Sequence, residues 1–123
     1  AAEAYRDAGS GPKEMGIAEV HDCFSIAEVQ MYEALGFAQP GRGLDLVSDG
    51  SVMRSGRLPV NTGGGLLAFG HPVGATGVKQ AVEIFRQMKG QAGDYQVSRI
   101  PATGIAANMG GDDRTAVVTI YRG

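Results

Sequence analysis

Apolar side chains recur along this chain at two periods, and the changes between them divide it into elements. From Gly74 to Lys89, Val78, Ala81, Val82, Phe85 and Met88 recur at intervals of one, three and four residues. That spacing predicts a helix with one apolar stripe, ended by Gly90. Residues 25–36, "SIAEVQMYEALG", carry a second stripe of Ile26, Val29 and Leu35 beside Ala27, Met31 and Ala34. Ser25 and Glu28 stand at capping-box spacing, and Gly36 closes that helix. "AAEAYRDA" (1–8) favours a helix that stops at Gly9. "MGIAEV" (15–20) reads as a short buried strand. "ATGIAANMG" (102–110) and "RTAVVTIY" (114–121) read as two more, joined at "GGDD" by a hairpin with Asp112 and Asp113 at its solvated tip. Residues 37–61 read as loop with one or two short extended pieces, punctuated by "FAQPGRG" and "SDGS". The order α, β, α, loop, α, β, β predicts an α/β layered sandwich, a mixed sheet with helices packed on it.

The length of 123 residues fits one domain. A net charge of −2 gives no basic field, so nucleic acid is not an expected partner. No apolar run approaches the roughly 18 residues of a membrane span, and "AAEAYRDAGSGP" does not read as a secretory leader. The single cysteine, Cys23, allows no intramolecular disulfide, and a reducing, cytoplasmic setting is expected. Glycine is the outlier. Its 20 residues cluster at 36–50, 63–77 and 104–111, which points to close backbone approaches rather than a flexible linker.

The densest cluster, "NTGGGLLAFGHPVGATG" (61–77), contains one ionisable side chain, His71. Pro72 disfavours helical backbone at His71, so the ring sits on the extended approach to the helix that follows. The positive end of that helix favours the uncharged imidazole that a base requires. A turn histidine among structural glycines is the plainer alternative. A phosphate loop is not matched, because Val78 separates Gly77 from Lys79.

"HDCF" (21–24) leaves the C-terminal end of a strand just before a helix, where open α/β sheets place ligands. Cys23 beside a helix N-terminus favours thiolate, although a lone cysteine is more often a small buried apolar group. His21 is either a structural imidazole or a donor. No ligand-spaced pair suggests a metal. In "NMGG" (108–111), Asn108 offers an amide and Gly110 a backbone N–H to a developing oxyanion; a tight hairpin explains the same residues equally well. Thiol, imidazole and oxyanion donors together suit acyl or carbanion chemistry at a thioester.

"EVHDCFS", "YEALG", "GHPVGATG" and "AVVTIY" resemble the C-terminal domain of a thiolase of the sterol-carrier-protein and lipid-transfer-protein type, over nearly the whole chain. The resemblance implies an acyl-CoA C-acyltransferase that cleaves or condenses 3-ketoacyl-CoA thioesters, with coenzyme A as substrate and no covalently bound cofactor. It implies that His71 activates a nucleophilic cysteine and holds the thioester oxyanion. His21 stands where many thiolases carry an oxyanion-hole asparagine. Cys23 is then the acid/base at the α-carbon, and Phe24 lines the acyl-pantetheine channel. Asn108-Met109-Gly110 matches the stretch that carries a second thiol in other thiolases and has none here. "GGDDR" replaces a more apolar glycine run. The nucleophilic cysteine is expected in a thiolase N-terminal domain outside this chain, along with the first strand of this domain. A homodimer or larger assembly is implied. Two alternatives accompany this reading: a retro-aldolase of steroid side-chain CoA thioesters with an OB-fold partner, and a non-catalytic thiolase-like interaction subunit.

Overall fold

The computed structural model describes residues 1–111 and 114–123, so the expected hairpin tip at Asp112 and Asp113 lies outside the described residues. Among the described residues five α-helices and three strands follow one another as α1 (Ala2–Ala8), β1 (Ala18–Val20), α2 (Ser25–Ala34), α3 (Gly43–Ser48), α4 (Gly65–Phe69), α5 (Thr76–Met88), β2 (Thr103–Gly110) and β3 (Thr115–Arg122). The sheet order is β1-β2-β3. β1 runs parallel to β2, with Val20 opposite Ala107. β2 and β3 are antiparallel from Thr103↔Arg122 to Gly110↔Thr115, which is the expected hairpin. Beyond β1, Val60 forms a single parallel bridge to Ala18. The fold is the mixed α/β sandwich that the pattern predicts.

Alternation along the strands gives the sheet two different faces. Ala18, Val20, Ile105 and Ala107 join Tyr5, Met31, Tyr32, Leu35 and Leu58 in the larger core, under α1 and α2. Ile17 and Ala106 turn the other way, against Ile84 of α5 and Val97. α5 comes very close to β2 at Gly104, where a Cβ would stand 2.5 Å from the Ile84 side chain. The Tyr5 hydroxyl donates to the Leu35 carbonyl at 2.9 Å and ties α1 to the end of α2.

Four expectations change in detail. The first strand is shorter, Ala18–Val20, although the Gly16 N–H and the Ile17 carbonyl already bond to Thr103 and Ile105 of β2. The supposed loop 37–61 contains α3, and α4 precedes His71; at six and five residues both are too short for periodicity to reveal. The capping box does not form. Phe24, with extended backbone, occupies the N-cap position, and Ser25 is the first helical residue. Glu28 instead accepts hydrogen bonds from the Tyr32 hydroxyl, one turn on in α2, at 2.8 Å and from the Asn61 amide, which the tertiary fold supplies, at 3.4 Å.

The fourth change concerns α5. Its apolar stripe faces away from the sheet: Val78, Val82 and Phe85 are 65, 40 and 54% exposed. The buried face is Thr76, Gln80, Glu83, Ile84 and Gln87. Both amides make hydrogen bonds, although among the described residues Gln80 Oε1 has no partner. Gln80 donates to the Ala107 carbonyl, while Gln87 donates to Thr62 and the Tyr95 carbonyl and accepts from the Val97 N–H. The helix therefore stitches loops to the sheet with polar side chains and leaves its apolar stripe exposed.

Candidate active site

The site forms where β1 ends. Val20 is the last strand residue, and its N–H donates to the Asn61 side-chain oxygen at 2.9 Å. Asn61 adopts positive φ (47°) to present that oxygen, a conformation asparagine tolerates better than most residues. The chain then turns through His21, Asp22, Cys23 and Phe24 into α2. Asp22 anchors this turn: both carboxylate oxygens accept from the Leu66 N–H, at 3.0 and 3.2 Å. Residue 65 must be glycine for this contact. Its φ is +57°, and a Cβ there would lie 2.0 Å from an Asp22 oxygen. The "HDCF" turn and the glycine cluster are thus one structural unit.

His21 is 5% exposed. Its Nδ1 lies 2.6 Å from Asn108 Oδ1 on β2. A carbonyl oxygen only accepts, so Nδ1 carries the proton and Nε2 of the neutral ring holds a lone pair. His71 Nδ1 lies 2.7 Å from Thr76 Oγ1 at the start of α5. The Thr76 hydroxyl donates its proton to the Pro72 carbonyl. It therefore accepts from His71 Nδ1–H, which again leaves Nε2 free to take a proton. The two imidazoles meet at nearly right angles, 78° between planes and 4.9 Å between centroids.

Cys23 and His71 line two clefts together. One, of about 410 Å³, is completed by Asp22, Phe24, Glu28 and Leu66. The other, of about 340 Å³, is walled by His21, Asn108, Met109, Gly110 and Val117. Phe24 is 73% exposed and also borders a mostly apolar groove of about 550 Å³ with Ile26, Met31 and Met109. All six candidate residues therefore lie around one region, and Cys23 is half-buried rather than enclosed. Among the described residues no three metal-ligating side chains stand together.

Sequence reasoning missed three contributors. Thr76 orients His71 and reads only as helix start. Glu28, assigned to a cap, lines a cleft, and burial pushes its carboxyl up from the ordinary range. Asn61 opens the glycine cluster and reads as turn chemistry. A polar residue directly beside the glycine cluster was the available signal for Asn61; nothing local distinguishes the other two.

The sequence profile of the thiolase C-terminal domain-like family matches residues 1–123. The chain is 43% identical over 121 residues to an acetyl-CoA acetyltransferase of Methanothermobacter thermautotrophicus, covering 98% of this chain and 31% of that protein. It is 39% identical over 112 residues to the benzoylsuccinyl-CoA thiolase subunit BbsB of Thauera aromatica, covering 91% of this chain and 29% of that protein. Rat sterol carrier protein 2 is 41% identical over 126 residues, covering 99% of this chain and 22% of that protein. The chain thus spans less than a third of these relatives. Among solved structures, the Ltp2–ChsH2(DUF35) aldolase superposes with a TM-score of 0.82 at 26% identity, over 98% of this chain and 30% of that one. The profile match across every residue and the identities above 30% make this chain a member of the thiolase C-terminal domain-like family.

Proposed function

We propose that this chain supplies the acid–base and oxyanion-binding groups of an acyl-CoA C-acyltransferase of the thiolase type, acting on 3-ketoacyl-CoA thioesters. The observation that carries the reading is the joint position of Cys23 and His71, which line the same two clefts beside His21 and Asn108. In the cleavage direction a thiolate adds to the keto carbon, and the bond to the α-carbon breaks. Its electron pair passes into the thioester as an enolate. Cys23 gives its thiol proton to the α-carbon, and the new acetyl thioester departs. The bare Nε2 of His71 takes the proton of the attacking thiol and afterwards, as N–H, donates to the thioester oxygen. His21 reaches the enolate oxygen through Nε2 as an imidazolium, its Nδ1–H being held by Asn108. Phe24 borders the acyl-pantetheine channel, and Gly110 lines the wall beside Asn108.

The attacking thiolate belongs to an N-terminal domain beyond this chain. That domain covers the outward stripe of α5, continued by Phe69 and Val73, which are 46 and 87% exposed. The edge of β3, which pairs only with β2 among the described strands, receives one further strand from the same source. The relatives are more than three times as long as this chain, which leaves ample sequence for both. Pairing into a homodimer accompanies this assembly.

A second reading is favoured by the likeness to the Ltp2–ChsH2(DUF35) aldolase: retro-aldol cleavage of a 3-hydroxyacyl-CoA, with a partner subunit and no covalent acyl-enzyme. The assay is cleavage of 3-ketoacyl-CoA by free CoA in the full natural chain. Cys23→Ala and His71→Ala are each expected to lower it by at least about 100-fold. Near-normal thiolysis in both variants overturns the assignment, and cleavage of the 3-hydroxy ester without free CoA selects the second reading.

A further inference from the structure

Glu19 stands on β1 two residues before His21 and therefore shares its face of the sheet, toward α5. It is 1% exposed, with Oε2 3.0 Å from Lys79 Nζ and, among the described residues, no partner at its other oxygen. The Lys79 ammonium also lies 4.4 Å from the centroid of the Phe69 ring. Phe69 is the last residue of α4, and Gly70-His71 follows it directly. The edge of that ring rests on Gly63, where a Cβ would stand 2.8 Å from Cε2. One cation thus bridges the strand that leads to His21 and the ring that precedes His71.

His71 needs such a hold. Residues 70–75 are all exposed, and among the described residues the imidazole's one hydrogen bond is to Thr76. That bond fixes one nitrogen, and the backbone on the other side of the ring is held through Gly70, whose N–H closes α4 on the Leu66 carbonyl at 2.8 Å, so the ring's place follows the end of that helix. We propose that Lys79 is a positioning residue for His71: by joining Glu19 to Phe69, it fixes the end of α4 against β1 and so sets the distance between the two imidazoles. The ammonium is attracted to the ring face and to the carboxylate at once, and either contact alone would leave one side unanchored. The inference rests on the reading of His71 as base.

The test compares Lys79→Met, Lys79→Arg and the double variant Glu19→Gln/Lys79→Met in the full natural chain. The readouts are the imidazole signals of both histidines by NMR, and kcat and KM for CoA-dependent cleavage of a 3-ketoacyl-CoA. Lys79→Met is expected to shift and broaden the His71 signals, with a smaller shift at His21, whose ring packs against it. It should lower kcat about tenfold with KM within about twofold, as a displaced but intact base would. Lys79→Arg should keep both, since a guanidinium pairs with the carboxylate and stacks on the ring. The double variant, relieved of a bare buried carboxylate, should remain impaired. Unchanged His71 signals in Lys79→Met overturn the proposal. So does full recovery in the double variant, which would assign the defect to the uncompensated carboxylate. If the unaltered protein cleaves no 3-ketoacyl-CoA, the functional reading fails, and the His71 signals still decide the positioning.

Discussion

His21 and His71 reach each other from opposite ends of a long connection, and their rings meet edge to face with centroids 4.9 Å apart. Each presents Nδ1 to a fixed partner, Asn108 for one and Thr76 for the other. The geometry that brings them together is shared between β1, β2 and the start of α5, so substitutions on all three should register at the site.

Asn108 orients His21 through the bond at Nδ1. Asn108→Ala leaves a buried imidazole unpaired and should cost about 1–3 kcal/mol of stability together with activity. Asn108→Asp keeps an acceptor at Nδ1 and should retain more of both. Turnover and urea unfolding of the two variants check this, and variants indistinguishable from the unaltered protein would remove the proposed role of His21.

The Asp22–Leu66 contact should be intolerant of a side chain at residue 65. Gly65→Ala is expected to lose at least about 2 kcal/mol, from positive φ and from collision with the carboxylate. Asp22→Ala should cost about 1–2 kcal/mol, since it removes only the anchor of α4. Chemical denaturation resolves the difference.

Stability should fall as pH rises toward neutrality. Burial pushes the Glu19 carboxyl from an ordinary 4.5 up to about 7, an effect that Lys79 only partly offsets. Between those values the folded chain holds a proton that the unfolded chain has released. This contribution is therefore complete below about 4.5 and lost by about 7, with a total on the order of 3 kcal/mol. Glu28, raised by burial as well, adds in the same direction. Unfolding free energy measured across that range should slope downward, and Glu19→Gln should flatten most of the slope.

The two faces of α5 should respond differently. Ile84→Ala, at a fully buried position, is expected to cost about 2–5 kcal/mol wherever it is measured. Phe85→Asp should change the stability of residues 1–123 by no more than about 0.5 kcal/mol. In the longer natural chain the same change should loosen the domain contact, seen as an early separate unfolding transition. A single unaltered transition would mean that the stripe is not covered.

Short-range chemistry made much of this molecule readable. Helices α1, α2 and α5, the β2–β3 hairpin and the mixed α/β class follow from periodicity and turn residues, because those signals act over a few positions. The candidate site was legible for a different reason: His21, Cys23 and His71 are reactive side chains placed at a strand end and in a glycine cluster, where backbone geometry leaves space. What the sequence could not decide is which surface each element would meet. The stripe Val78, Val82, Phe85 is a sound helix signal, yet the inner face carries Gln80 and Gln87, because the Ala107 carbonyl on β2 accepts from the one and the loops at Thr62, Tyr95 and Val97 supply partners for the other. Ser25 and Glu28 have capping spacing, yet the carboxylate accepts from Tyr32 one turn on and from Asn61, 33 residues away. Such choices depend on donors and acceptors that are distant along the chain, and only folding brings them within reach.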